Sequence, residues 1–209
     1  MNSDILNQKY CTLINIHLKN KKKNNKITEA IAYQLNNLSN VEIKIISIIN
    51  SIQLTLNNEL NKDCDLSNII LGLIYLYNSK IIIYNLPSML NKVNYNNRPC
   101  VHVLFGETVS QLTSVSLVTE CFELIGSEID EGIKYNNILT LCDININEDI
   151  IICINNNDNI KENLEKLLKL SIKELYNKAI DICLNYYNIN DSSKKDEIKK
   201  HIKYKFDLE

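Results

Sequence analysis

Gly106-Glu107-Thr108, His102 and the carboxylates near them are the residues whose types and spacing could do chemistry in this chain. A glycine that follows an apolar run ending at Phe105 and precedes a helical pattern is the setting in which helix N-termini hold phosphate. A lone glycine cannot build either glycine-rich nucleotide loop, and no lysine follows within reach, so Gly106 reads as a structural turn with a backbone angle other residues avoid. His102 could act as a general acid or base, with Glu107, Glu120 and Glu123 close in sequence. Catalysis would need a second titrating group or a nucleophile in a defined cleft, so His102 reads as exposed or partner-facing. Asp149 opens an apolar run. Asp158 and Asn159 suit a helix cap, with Glu162 placed to close a capping box from Asn159.

The cysteines, Cys11, Cys64, Cys100, Cys121, Cys142, Cys153 and Cys183, are odd in number and widely spaced. That pattern fits reduced thiols inside a cell rather than a disulfide framework. Cys121 and Cys153 sit in apolar runs, where cysteine serves as a small buried hydrophobe. There is no Cys-x-x-Cys, and His17, His102 and His201 are far apart in sequence, so neither a metal nor a cofactor is expected. The 23 basic residues against 25 acidic ones leave a net charge of −2, which supplies no field for nucleic acid or an anionic membrane. Arg98 is the only arginine among many lysines. With 209 residues, 45% of them hydrophobic, the chain can build a single core. It shows no secretory signal and no uncharged apolar run of about 18 residues. A soluble protein of the cytoplasm or nucleus is expected.

The elements that must position these residues read as a mixture. Residues 11–18, 41–46, 73–77, 80–84, 101–105, 138–144 and 149–154 have strand character, and Asn78-Ser79 is placed to turn a β-hairpin between the third and fourth. Residues 27–35 show helical spacing, as do Val115, Val118, Phe122 and Ile125 before Gly126, and Ile160, Leu164, Leu167, Leu168 and Leu175. Residues 52–60 fit either a strand or a helix. Residues 66–73 could begin a helix capped by Ser67, at a cost of about 1 kcal/mol for Gly72. Pro87 and Pro99 bracket a loop or short helix. The chain ends in a basic amphipathic helix carrying Lys194, Lys195, Lys199, Lys200, Lys203 and Lys205. The expected fold is α+β, an antiparallel sheet with helices packed on one face. Residues 1–65 form a strand and helix extension, 66–188 a core with an insertion near 127–147, and 189–209 the basic tail.

This order of parts resembles the proteasome assembly chaperone 4 family. The matching residues are Asn78-Ser79-Lys80-Ile81-Ile82-Ile83-Tyr84, then Leu104-Phe105-Gly106-Glu107-Thr108 with Ser114 and Leu117, then Ile150 to Ile154 leading to Asn159-Ile160-Lys161-Glu162. The resemblance implies a non-catalytic assembly factor that pairs with a second small chaperone and guides proteasome α subunits into their ring. Tyr75, Tyr77 and Tyr84 on the expected hairpin form a ledge that is either core or an interface anchor for such partners. One alternative is the kinase-binding small subunit of the KEOPS tRNA-modifying complex, which residues 148–160 resemble. The other is an enzyme of unknown reaction.

Overall fold

The computed structural model describes residues 3–20, 25–36, 38–61, 64–127, 136–138, 140 and 160–208. Among them the long apolar segments are all helical. In chain order they are α1 (Ser3–Asn20), α2 (Lys26–Leu35), α3 (Asn40–Leu60) and α4 (Ser67–Tyr84), then a short hairpin of β1 (Asn94–Tyr95) and β2 (Arg98–Pro99). There follow α5 (Val101–Phe105), α6 (Glu107–Gly126), α7 (Ile160–Tyr186) and α8 (Ser192–Phe206). Helix α4 is apolar on every side, and such a helix is stable only with neighbours all round it. It is buried continuously from Ile69 to Ser79. It packs most extensively on α6, and also on α7 and α3; α2 lies against α6, and α3 against α7 and α8. Its length and composition would suit a membrane span, but here the helix is enclosed by the bundle.

The expected α+β fold is therefore corrected to a helical bundle carrying one two-stranded hairpin. Residues 11–18, 41–46, 73–77, 80–84 and 101–105 are all helical. Isoleucine-rich runs favour strands by a margin that burial on all sides readily overrides. The expected strand at 149–154 and most of the insertion near 127–147 lie outside the described residues. The helices expected at 27–35, after Gly106, from residue 160 and in the tail do form, as α2, α6, α7 and α8. The hairpin lies at a different place, pairing Tyr95 with Arg98 and Asn94 with Pro99. Asn96 and Asn97, both at positive φ, turn it, which is the geometry of a tight two-residue hairpin.

Polar residues that look like helix breakers are satisfied within their own helices. Asn78 Nδ2 donates to the Ile74 carbonyl at 2.8 Å and Ser79 Oγ to that of Leu76 at 2.7 Å, so the expected turn stays helical. Ser47, Asn50, Ser110 and Thr113 each donate to the carbonyl four residues earlier, an alternative that lets short polar side chains sit in buried helices. Helix α3 starts with a capping box, in which Ser39 is the cap and Glu42 turns its carboxylate back to the Ser39 amide.

Two glycines carry specific constraints. A Cβ on Gly72 would stand 2.7 Å from Ile125 Cγ1 and 3.3 Å from the Cys121 carbonyl oxygen, so α4 and α6 meet through its missing side chain. Gly106 joins α5 to α6 at φ 83° and ψ 162°, a region populated essentially by glycine. Gly72→Ala is expected to destabilise by about 1–2 kcal/mol, the overpacking outweighing the gain in helix propensity. Denaturant midpoints would show this, and Gly72→Ala with Ile125→Ala should lose less than the sum of the single changes. A Cβ on Gly106 meets nothing within 4 Å. Gly106→Ala should therefore cost about 1–3 kcal/mol of backbone strain alone, and an unchanged denaturant midpoint would overturn this.

Candidate functional site

The polar heart of the bundle joins α2, α3, α4 and the hairpin. Gln34 Nε2 donates to Asn78 Oδ1 at 2.7 Å, and Asn78 Nδ2 donates to Glu42 Oε1 at 2.5 Å. Glu42 is 1% exposed. Burial raises its carboxyl pKa above the ordinary value, while the bonds from Asn78 and Ser39 and the nearby Arg98 charge act the other way. Arg98 projects from β2 and donates to the Tyr33 and Gln34 carbonyls at 2.6 and 2.5 Å, with its guanidinium 4.8 Å from the Tyr33 ring centre. The single arginine thus sits where a rigid fork of donors meets the C-terminal carbonyls of α2, a task one ammonium performs poorly. Tyr33 returns a bond to the Pro99 carbonyl at 2.7 Å, and the Tyr77 and Tyr95 hydroxyls meet at 2.7 Å.

A second polar feature lies between α4 and α7. Lys80 Nζ donates to Ser171 Oγ at 2.8 Å. Burial lowers its pKa to about 8, with Glu174 close enough to pull it back up. One turn further along α4, Tyr84 packs with Met89 against a buried group of Leu90, Leu164 and Leu167. Lys92 pairs with Glu165 at 3.1 Å on the exposed side. This buried apolar cluster is bordered by Lys80 and Lys92, each with a glutamate beside it. Nucleophilic thiol chemistry is not favoured here, because burial raises the Cys121 pKa to about 12 and pushes Cys183 and Cys100 up as well.

The residues singled out in the sequence are dispersed. Tyr75 and Tyr77 are buried in α4, and only Tyr84, half-buried, borders the apolar patch. His102 is half-buried on α5, whereas Glu107 and Glu123 are exposed. Glu120 faces His17 of α1 at 3.2 Å and not His102. Glu162 pairs with Lys166 at 2.8 Å. Asp149, Asp158 and Asn159 lie outside the described residues. Glu42, Asn78, Lys80 and Arg98 carry the polar interior and were not picked out as site residues. Ser39-x-x-Glu42 could have revealed the first of them, as a capping-box signature.

No protein-family model matches the chain, and no curated protein matches it significantly. Solved structures do. An FPP/GFPP synthase from Zymomonas mobilis matches with a TM-score of 0.73 and 12% identity, over 96% of this chain and 74% of that one. A geranyltransferase from Legionella pneumophila gives 0.73 and 16%, over 98% and 74%. The Helicobacter pylori geranyltransferase complexed with magnesium and isoprenyl diphosphate gives 0.70 and 17%, over 99% and 73%. At these identities the likeness establishes the fold. The expected chaperone resemblance is corrected by it: these neighbours are named as prenyl-transferring enzymes, not as proteasome chaperones or KEOPS subunits. The expectations of a non-catalytic factor, of a second small chaperone and of proteasome α subunits as partners fall with it.

One neighbour carries magnesium, and the residues described here do not fit that ion. Magnesium takes oxygen ligands, typically one or two carboxylates together with substrate phosphates. Among the described residues no three His, Cys, Asp or Glu gather as a possible metal site. Glu42 is sealed in the core with both oxygens accepting hydrogen bonds. On the α4–α7 face, Glu165 pairs with Lys92 and Glu174 stands by Lys80. The chain has the fold of the isoprenoid synthases, and its described interior holds both a bonded polar network and buried polar atoms without a hydrogen-bond partner, Tyr75 Oη and Asn177 Oδ1 among them.

The buried Glu42 makes a pH prediction. Its folded pKa is raised, so the stability it contributes is fully present below the unfolded value of about 4.3 and is lost as pH rises through the folded pKa. Glutamine at this position can keep the capping box. The unfolding free energy of the wild type, minus that of Glu42→Gln, should therefore fall as pH is raised from about 4. A difference that rises with pH instead would show that the hydrogen bonds and Arg98 outweigh burial.

Proposed function

We propose that this chain serves prenyl transfer, as a helical bundle that takes up an isoprenoid chain. The observation that carries this reading is the likeness in fold to prenyl-transferring enzymes over nearly the whole chain. Prenyl transfer moves a branched hydrocarbon from an isoprenyl diphosphate to an acceptor and releases diphosphate, so its substrate is a long apolar tail on an anionic head. The bundle surrounds the apolar helix α4, with a further buried cluster of Leu90, Leu164 and Leu167 packed by Met89 and Tyr84.

The test is ligand-induced stabilisation of the purified chain by geranyl compounds with and without the diphosphate head, followed by mass spectrometry of any elongated product. At a concentration 100 times the Kd, a bound ligand adds about 2.7 kcal/mol, which for a chain of this size raises Tm by roughly 5–10 °C. A rise with a geranyl compound is expected. An unchanged Tm with every geranyl compound would sink the proposal.

A further inference from the structure

Independently of the prenyl-transfer reading, we infer that a groove between α1, α3 and α8 binds a small organic phosphate, its anionic head between Lys9 and Lys205 and its apolar part against Leu54 and Phe206. The groove has a volume of about 530 Å³, within the range of small-molecule sites. Among the described residues that line it, two are lysines and none is acidic. Carboxylates do stand close by. The neighbouring groove, which shares Thr55 with this one and runs farther along α3 and α8, is lined by Glu59, Asp191 and Glu197, and there Lys194 pairs with Glu59 at 2.9 Å. The two lysines of the first groove are held differently. Lys205 Nζ donates to Ser51 Oγ at 2.8 Å, and Lys9 Nζ stands 5.4 Å from the Tyr10 ring centre, with no carboxylate on either among the described residues. The groups beneath them are turned to donate. Asn50 and Asn57 use their side-chain oxygens to accept from the Tyr10 and Tyr187 hydroxyls, so their amide nitrogens are the ends left for a ligand. Asn50 Nδ2 spends one hydrogen on the Ile46 carbonyl at 2.7 Å and keeps the other, and Ser51 Oγ, accepting from Lys205, keeps its own proton. Ammonium, amide and hydroxyl donors without a carboxylate select an anion with several acceptor oxygens, for which charge-assisted bonds are the strong ones. Leu54, 59% exposed, and the Phe206 ring supply an apolar side for the organic part.

The probe is phenyl phosphate, titrated calorimetrically into the purified full chain near neutral pH and at low salt, beside phenol, inorganic phosphate and vesicles of anionic phospholipid. Phenyl phosphate should bind about tenfold or more tightly than either phenol or inorganic phosphate. Lys9→Gln and Lys205→Gln should each weaken it by about fivefold or more, and Leu54→Ser by about threefold. Lys195→Gln, on α8 but outside the groove, should leave it unchanged. None of these four side chains is buried, so thermal melts of the variants should match the wild type and separate lost binding from lost folding. Failure of phenyl phosphate to bind would overturn the inference. So would binding that survives both groove-lysine changes, or that falls equally with Lys195→Gln, since the charge would then act diffusely. Capture on anionic vesicles without phenyl phosphate binding would also overturn it and assign the lysines to a lipid surface. No isoprenoid enters this test, so its failure leaves the prenyl-transfer reading untouched.

Discussion

The structure depends on the contact between α4 and α6 at Gly72. A helix that is apolar all round must be covered on every side, and the closest covering helix approaches it where a side chain is missing. Because any Cβ there would collide with Ile125 and press on the α6 backbone, the glycine sets how near the two axes come. That spacing in turn fixes where Ser79 meets Ser114 and where the far side of α4 presents Lys80 to α7. The usual helix penalty for glycine, about 1 kcal/mol, is outweighed by the packing it permits.

A second constraint follows from enclosing so much helix. Polar groups carried into the interior need partners, and most of those described find them in two ways, Tyr75 Oη and Asn177 Oδ1 being exceptions. Serines, threonines and asparagines return their bonds to carbonyls of their own helix, which keeps the helical geometry intact. Glu42, Asn78, Gln34 and Arg98 bond across elements and so tie α2, α3, α4 and the hairpin together. Breaking one member would leave the others unpaired in a low-dielectric setting, which makes such a network costly to disturb.

A shared architecture can host different activities, and function is argued from the residues that line the site. Beside α4, Lys80 has Ser171 and Glu174 for neighbours and Lys92 pairs with Glu165, around the buried cluster of Leu90, Leu164 and Leu167.

Some of this was legible in the residues alone. Helical spacing was visible at α2, α7 and α8, because each of these helices has a polar side and so shows its period, whereas α6 buries Ser110, Thr113 and Ser114 and exposes Val115, which the spacing had placed on its apolar face. Gly106 was identifiable as a turn, and Cys121 as a small buried hydrophobe, because each rests on a local property. The period vanishes in α4, where all sides are buried, and a continuous apolar run with Asn78-Ser79 in its middle looks like two strands and a turn. In α3 the alternation at Val41, Ile43 and Ile45 imitated a strand, although Ser39 and Glu42 marked a helix start. The candidate site was not legible. Lys80 and Ser171 are 91 residues apart, and Leu90 meets Leu164 and Leu167 only because α7 packs along α4. Local periodicity records what one element can bury, while tertiary packing alone decides which distant element buries it.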